Sequence, residues 1–211
     1  MKICTVCKNN KIEFFLNIEN LDYWQCKLCK ATMLNPIHHI SSNKEKKHYL
    51  KHNNEIDDTR YRDFLTNLIE PLKDKICVND IGLDYGCGYA PALADILKKD
   101  GFNIELYDPF FFKNENIFFR KFNFITCSEV VEHFFKPYEE FNKIDGLLAE
   151  KSWFAVMTSF MTEDYLFKNW YYRRDPTHVV FYKKITFKII ANQRNWELTF
   201  PSKNLVFFYK K

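Results

Sequence analysis

The sequence predicts an α/β fold preceded by a small module whose structure is stabilised by a bound metal ion. Two observations support this prediction: a strand, a glycine turn and a helix follow one another near position 85, and two Cys-x-x-Cys pairs lie within the first thirty residues. The 211 residues are enough for one full domain and a small satellite. Hydrophobic residues make up 46% and charged residues 27%, as in globular proteins, which excludes a disordered chain.

The N-terminal module is predicted from its cysteines. Cys4 with Cys7 and Cys26 with Cys29 form two pairs, and the eighteen residues between the pairs match a four-cysteine zinc ribbon. Two such pairs supply the tetrahedral set of sulfur ligands that Zn²⁺ accepts, with no position left for water, so we expect structural zinc. Residues 11–15 and 22–24 are predicted to form the hairpin of this module, which spans residues 1–40.

A connecting segment is predicted for residues 41–75. Residues 41–63 are polar and charged, which indicates a linker or a lid. From Thr59, apolar residues recur with the helical period of 3.6, so we expect a helix that ends near Pro71 and covers one flank of the next domain.

A ligand-binding turn is predicted at the start of that domain. Residues 81–85 form a short strand, residues 86–90 a turn with Gly86 and Gly88, and residues 91–99 a helix. Glycine lets a ligand approach the backbone, and the helix start offers free N–H groups. Pro91 stands where a dinucleotide fingerprint needs a third glycine, which argues against NAD or FAD. The next strand ends at Asp108, where Rossmann-like folds place a carboxylate that binds ribose hydroxyls.

These strings resemble motifs of the class I S-adenosylmethionine-dependent methyltransferases. "LDYGCGYAPAL" is similar to their first motif and "YDP" to their second, while "ITCSEVVEHF" resembles the fourth-strand motif of the subgroup with ubiquinone-biosynthesis O-methyltransferases. The resemblance implies a Rossmann-like methyltransferase domain over residues 76–211. It also implies that Asp84 and the turn contact the methionine part of the cofactor, Asp108 the ribose and Phe110 the adenine. The full set of cofactor-binding residues predicted in this way is Asp84, Tyr85, Gly86, Cys87, Gly88, Asp108, Pro109, Phe110, Ser128 and Glu129.

An acidic and histidine cluster follows the fourth-strand motif. Glu129, Glu132 and His133 would share one face if a helix begins there. In one interpretation the two glutamates cap that helix and His133 lines the cofactor pocket. In the other, the three residues and His178 bind Mg²⁺ or Mn²⁺, because small-RNA 2′-O-methyltransferases and ubiquinone O-methyltransferases carry a similar arrangement. We expect Glu132, His133 and His178 to be catalytic, with a histidine as general base where no metal is bound.

Residues 167–178 combine aromatic side chains with Arg173 and Arg174. This run either stacks on a planar acceptor or contributes its aromatic side chains to the core. A strand over residues 153–158, a helix over 181–190 and a hairpin over 196–209 complete the predicted sheet.

The predicted function is S-adenosylmethionine-dependent O-methylation of a small molecule. One alternative is an RNA methyltransferase whose ribbon and nearby lysines grip nucleic acid, although the net charge is only +4. Another is a non-catalytic scaffold, against which Gly86, Gly88 and Asp108 argue. The N-terminus lacks an apolar signal core and no apolar stretch reaches 18 residues, so we expect a cytoplasmic protein without a membrane partner.

Overall fold

The computed structural model describes residues 1–51 and 55–211. Within them the helices are α1 (Ser42–Tyr49), α2 (Thr59–Lys73), α3 (Ala92–Lys99), α4 (Pro137–Leu147) and α5 (Lys184–Asn192). The strands are β1 (Ile12–Ile18), β2 (Leu21–Cys26), β3 (Thr32–Leu34), β4 (Ile81–Tyr85), β5 (Asn103–Tyr107), β6 (Phe122–Ser128), β7 (Leu148–Met157), β8 (Val180–Phe181), β9 (Trp196–Ser202) and β10 (Leu205–Lys210). None of the helices in this described part combines the length and apolar character needed to cross a bilayer.

The larger sheet has the strand order β5-β4-β6-β7-β10-β9. Strands β5, β4, β6 and β7 are parallel, whereas β10 runs antiparallel to both of its neighbours. Because side chains alternate along a strand, adjacent residues such as Phe124 and Ile125 enter different cores. Helices α2 and α3 pack on one face and α4 and α5 on the other. The predicted α/β architecture is confirmed.

The connection from β5 to β6 is short. Residues 108–121 contain one 3₁₀ turn, at Glu115–Phe119, and no further strand of the sheet. This segment is just long enough for the crossover that two parallel strands need. The strand whose sequence resembles a fourth-strand motif is therefore the third of its sheet in chain order. As a consequence, β5 is the edge strand of the sheet next to the glycine turn.

The N-terminal ribbon shares its sheet and its core with the rest of the chain. Strands β1, β2 and β3 continue into β8, which lies in the C-terminal half. The backbone N–H of Leu34 donates to the carbonyl of Val179 (2.9 Å), and the Thr186 hydroxyl donates to the carbonyl of Cys29 (2.7 Å). Tyr23 of the ribbon packs edge-on against Phe167. The hydrophobic core on the α4 and α5 face thus continues into the ribbon.

Two local predictions differ from the structure. The segment predicted as a polar linker contains the helix α1, in which Glu45 is buried and all other residues are exposed or half-buried. Residues 52–54 of that segment lie outside the described residues. After β6 the chain does not enter an α-helix. Glu129 has a positive φ of 54° and Val131–His133 form a 3₁₀ turn, so Glu129, Glu132 and His133 do not share a helix face as predicted.

Candidate active site and cysteine cluster

A cavity of about 700 Å³ lies at the carboxyl ends of β4, β5 and β6. Ligands bind at this edge in open α/β sheets. Nine of the ten predicted cofactor-binding residues line it: Tyr85, Gly86, Cys87, Gly88, Asp108, Pro109, Phe110, Ser128 and Glu129. Glu45 and Tyr49 of α1 form part of its wall, together with Tyr61 of α2. Sequence reasoning missed these three residues because the chain brings them there from outside the recognised motifs.

The glycine turn has two positions that require glycine for different reasons. Gly86 has a φ of +85°, and a Cβ there would lie 2.6 Å from a methyl carbon of Val130. Gly88 has a φ of +66° and open space where a side chain would extend. The first position is thus fixed by packing and backbone conformation. The second leaves the backbone accessible to a ligand.

Backbone hydrogen bonds orient the carboxylate of Asp108. Its Oδ1 accepts from the N–H groups of Phe110 (2.8 Å) and Phe111 (3.0 Å), and its Oδ2 accepts from the N–H of Gly88 (3.1 Å). A carboxylate offers about four acceptor positions, so Oδ2 can accept one more donor. This arrangement fits a cofactor that carries ribose hydroxyls.

Asp84 lies beneath the turn and is buried. Its carboxylate accepts a hydrogen bond from the Thr126 hydroxyl (3.0 Å), which connects β4 to β6. Burial raises the pKa of Asp84 to about 7. Among the described residues that line the cavity Asp84 does not appear, so a direct contact with the methionine part of the cofactor stays a prediction.

The predicted catalytic residues lie close together: His133 and His178 line the cavity, whereas Glu132 is fully buried and is not among the described lining residues. The Nδ1 atom of His133 lies 3.1 Å from the carbonyl of Thr177, and Nδ1 of His178 lies 2.7 Å from the carbonyl of Tyr172. Since a carbonyl only accepts, each Nδ1 carries a proton, and in a neutral ring the lone pair is then on Nε2. Both Nε2 atoms face Oε1 of Glu132, at 3.8 and 4.0 Å. Glu132, His133 and His178 thus offer three potential metal-ligand atoms within 4.8 Å of one another.

Glu129, the remaining predicted metal ligand, is not part of this group of three. Its Oε2 lies 3.0 Å from the Tyr172 hydroxyl, which also lies 2.5 Å from Oε1 of Glu132. Burial and the charge of Glu132 raise the pKa of Glu129 to about 9. Tyr172 therefore links the two carboxylates through its hydroxyl and fixes His178 through its carbonyl. No signal in the sequence identifies this role, because every one of these contacts except that to His178 is long-range.

Most aromatic side chains of the run belong to the core, and none of them is among the described residues that line the cavity. Phe167 and Tyr172 are buried, and Trp170 packs against Phe181 with a ring separation of 5.8 Å, as expected for core residues. Tyr171 is 70% exposed and points away from the core. Only Asp175 and His178 of this run are among the described residues that line the cavity.

The four N-terminal cysteines form a separate cluster. Their sulfur atoms approach in pairs, with 3.6 Å between Cys4 and Cys29 and 3.6 Å between Cys7 and Cys26. Tetrahedral zinc with Zn–S bonds of 2.3 Å needs sulfur atoms roughly 3.8 Å apart, so the spacing fits zinc. The backbone N–H of Cys7 also points at Sγ of Cys4, and that of Cys29 at Sγ of Cys26, both at 3.5 Å. The residues suit a structural zinc, whose bonds would hold the hairpin and the two Cys-x-x-Cys turns together.

Comparison with known proteins identifies the class. A family model described as a methyltransferase domain matches residues 50–199, and the chain belongs to this family. The predicted enzyme class, an S-adenosylmethionine-dependent methyltransferase, is thereby confirmed. The matched region begins after the ribbon and after α1. No curated protein sequence matches the chain.

Solved structures show the same fold. An O-methyltransferase family protein from Burkholderia thailandensis aligns with a TM-score of 0.50 and 13% identity, over 78% of this chain and 66% of its own. A SAM-dependent methyltransferase from Archaeoglobus fulgidus aligns with a TM-score of 0.52 and 19% identity, over 64% of this chain and 69% of its own. The present chain thus covers about two thirds of the length of these structures. At such identities the likeness concerns the fold alone.

Proposed function

We propose that the protein transfers a methyl group from S-adenosylmethionine to a hydroxyl oxygen of a small molecule. The observation that carries the proposal is a pair of cavity-lining imidazoles, those of His133 and His178, whose Nε2 atoms lie 3.8 and 4.0 Å from the buried Glu132 carboxylate. A hydroxyl is a weak nucleophile until its proton is removed, whereas a neutral amine attacks without that help. A site with two imidazoles beside a carboxylate, of which that of His178 is kept neutral by burial, therefore favours an oxygen acceptor.

When bound, the cofactor supplies an activated methyl group on a sulfonium. The turn at Gly86 and Gly88 and the carboxylate of Asp108 would hold the methionine and ribose parts, and the aromatic residues after Asp108 would shield the cavity from water. Because methyl transfer is an in-line displacement, positioning of the two reactants accounts for much of the acceleration.

Proton removal is assigned to the histidines. Burial lowers the pKa of His178, which keeps its imidazole neutral at physiological pH. A proton taken from the acceptor hydroxyl would reside on Nε2, and the neighbouring Glu132 carboxylate would stabilise the resulting imidazolium. The carbonyls of Thr177 and Tyr172 hold the two rings in the tautomer that this step needs.

Where a divalent cation is present, we propose that Glu132, His133 and His178 bind it, so that the cation and not an imidazole Nε2 promotes loss of the hydroxyl proton. Their donor set of two imidazole nitrogens and one carboxylate suits Mn²⁺ or Fe²⁺, and Mg²⁺ if water completes the shell. Such a cation would lower the pKa of a hydroxyl that binds to it. Tyr172 and the two backbone carbonyls provide the outer contacts that orient metal ligands in proteins.

A small acceptor is favoured over RNA by the charges of the cavity. Besides Glu129, whose raised pKa of about 9 keeps it largely uncharged near neutral pH, the described lining residues include four carboxylates, on Glu45, Asp108, Glu140 and Asp175, against two lysines. One of these, Lys143, already pairs with Glu140 at 2.6 Å. A phosphate chain would meet more repulsion than attraction here.

The cysteines support a location in the cytoplasm, which we also propose. All seven are free thiols, and four of them form the cluster that suits zinc. Such a set of thiols persists in a reducing compartment.

The function is tested by measuring how much S-adenosylhomocysteine the protein forms from S-adenosylmethionine in the presence of each compound of a panel of phenols, catechols, sugars and short RNAs. We expect turnover with a hydroxyl compound, and at least a hundredfold lower kcat for the His178→Gln variant but not for the His38→Gln control outside the cavity. Turnover with RNA alone, or equal turnover by both variants, would overturn the proposal. Calorimetric titration with MnCl₂ tests the metal, which the His178→Gln variant should not bind.

A further inference from the structure

Helix α1 lies outside the region that matches the methyltransferase family, yet it forms part of the cavity wall. The ring of Tyr49 lies 5.8 Å from that of Phe110, which follows Asp108, and 5.4 Å from that of His133. The Lys46 ammonium lies 5.6 Å from the ring centre of Phe111. The helix thus spans from the cofactor loop to the catalytic cluster.

Glu45 is the one buried residue of this helix, with 8% of its surface exposed. Its Oε1 accepts a hydrogen bond from the Tyr49 hydroxyl (2.8 Å), and it lines the same cavity as Asp108. Burial, together with the charge of Asp108, raises the pKa of Glu45 above its ordinary value. Among the described residues, no lysine or arginine forms an ion pair with either carboxylate. A buried carboxylate without a cation is costly, so this end of the cavity favours a positively charged ligand.

We propose that Glu45 selects the charge of the cofactor: with Asp108 it makes the cavity favour the cationic sulfonium substrate over the neutral thioether product. The inference rests on the proposed function and deepens it. During transfer the S–CH₃ bond breaks and its electron pair stays on sulfur, while the new O–CH₃ bond forms and the hydroxyl proton goes to a histidine. The cofactor thereby loses one positive charge. Its attraction to the carboxylates falls at that step, which favours product release.

The preference for a positively charged ligand can be measured with two cofactor analogues that differ at one position. Sinefungin carries an amine, protonated near neutral pH, in place of the sulfonium, whereas S-adenosylhomocysteine is neutral there. The ratio of their dissociation constants, obtained by calorimetry on the full chain, isolates the preference for positive charge. It needs no methyl acceptor and no turnover.

The Glu45→Gln variant removes the charge and keeps an oxygen that can accept from the Tyr49 hydroxyl. We expect the unmodified protein to bind sinefungin more tightly than S-adenosylhomocysteine, and Glu45→Gln to reduce this preference at least threefold, mainly by weakening the binding of sinefungin. Glu45→Asp, which retains the charge, should keep most of the preference. Glu150→Gln, which removes an exposed carboxylate away from the cavity, should leave it unchanged.

The outcomes separate this inference from the proposed function. If each ligand binds and the ratio of the two dissociation constants is the same in the unmodified protein and in Glu45→Gln, the role of Glu45 is overturned and the proposed function is not. Absence of binding for both ligands in the unmodified protein would instead overturn the function on which the inference rests. A preference lost equally in Glu45→Asp and Glu45→Gln would show that packing, and not charge, is responsible.

Discussion

Replacement of Thr186 by valine tests whether the ribbon and the methyltransferase domain form one cooperative unit. Thr186 is fully buried at the start of α5. Its hydroxyl donates to the carbonyl of Cys29 (2.7 Å) and accepts from the N–H of Lys183 (3.0 Å), so it connects a turn of the cysteine cluster to a helix of the larger domain. Valine occupies nearly the same volume and makes neither bond.

The expected loss follows from these two bonds. Each neutral hydrogen bond contributes about 1 kcal/mol net, and a buried carbonyl left without a donor costs about 1–3 kcal/mol more. We therefore expect the free energy of unfolding to fall by about 3 kcal/mol. For a chain of this length each kcal/mol lowers Tm by roughly 2–4 °C, so Tm should fall by about 6–12 °C.

Urea unfolding of the zinc-loaded protein provides the assay, with tryptophan fluorescence for the domain and a zinc-binding dye for the ribbon. Both signals should move together to lower urea in Thr186→Val, and Thr186→Ser should recover most of the loss. Thr162→Val, at an exposed threonine, should change the free energy by less than about 0.5 kcal/mol. A loss below 1 kcal/mol, or zinc release in a transition separate from the fluorescence change, would refute the shared core.

Three further predictions concern the cofactor turn and the ribbon. Asp108→Ala should weaken the binding of S-adenosylhomocysteine at least tenfold in calorimetry, and unchanged affinity would contradict the ribose assignment. Gly86→Ala should lower the free energy of unfolding by about 3 kcal/mol, because the new methyl group meets Val130 and the positive φ is strained, and it should abolish binding of this ligand; Gly101→Ala, at a φ of +88° with open space, should cost only about 1–2 kcal/mol and leave binding intact. Cys26→Ser should lower Tm and zinc content before it affects ligand affinity, and equal melting with and without zinc would show that the cluster binds no structural metal.

The sequence could predict the features that depend on neighbouring residues. The two cysteine pairs, the glycine turn and the strand ending at Asp108 each carry their signal within a few positions, and the structure has the ribbon hairpin and the strand, turn and helix where these signals stand. The spacing of Glu132 and His133 in the sequence also predicted that their side chains lie close together. The helix predicted from the same spacing was wrong, because Glu129 has a positive φ and a tighter turn follows it.

Features that depend on distant contacts were outside the reach of the sequence. The polar composition of α1 indicates a solvated segment, and only the fold shows that Glu45 and Tyr49 face the cavity. Tyr172 resembled any other aromatic residue of an aromatic-rich chain until the structure placed its hydroxyl between two glutamates. The pairing of β3 with β8 joins residues from opposite ends of the chain, and two-residue strands such as β8 have no periodic pattern.

That pairing has a consequence for biosynthesis. The ribosome delivers β1, β2 and β3 first, but the strand that completes their sheet emerges only after most of the chain has been made. At translation rates of 5–20 residues per second the delay is on the order of ten seconds. During this interval β3, which carries the buried residues Met33 and Leu34, can pair with β2 on one side, but its other edge has no partner strand. Early capture of zinc by the nascent ribbon would therefore protect an otherwise unfinished sheet from aggregation.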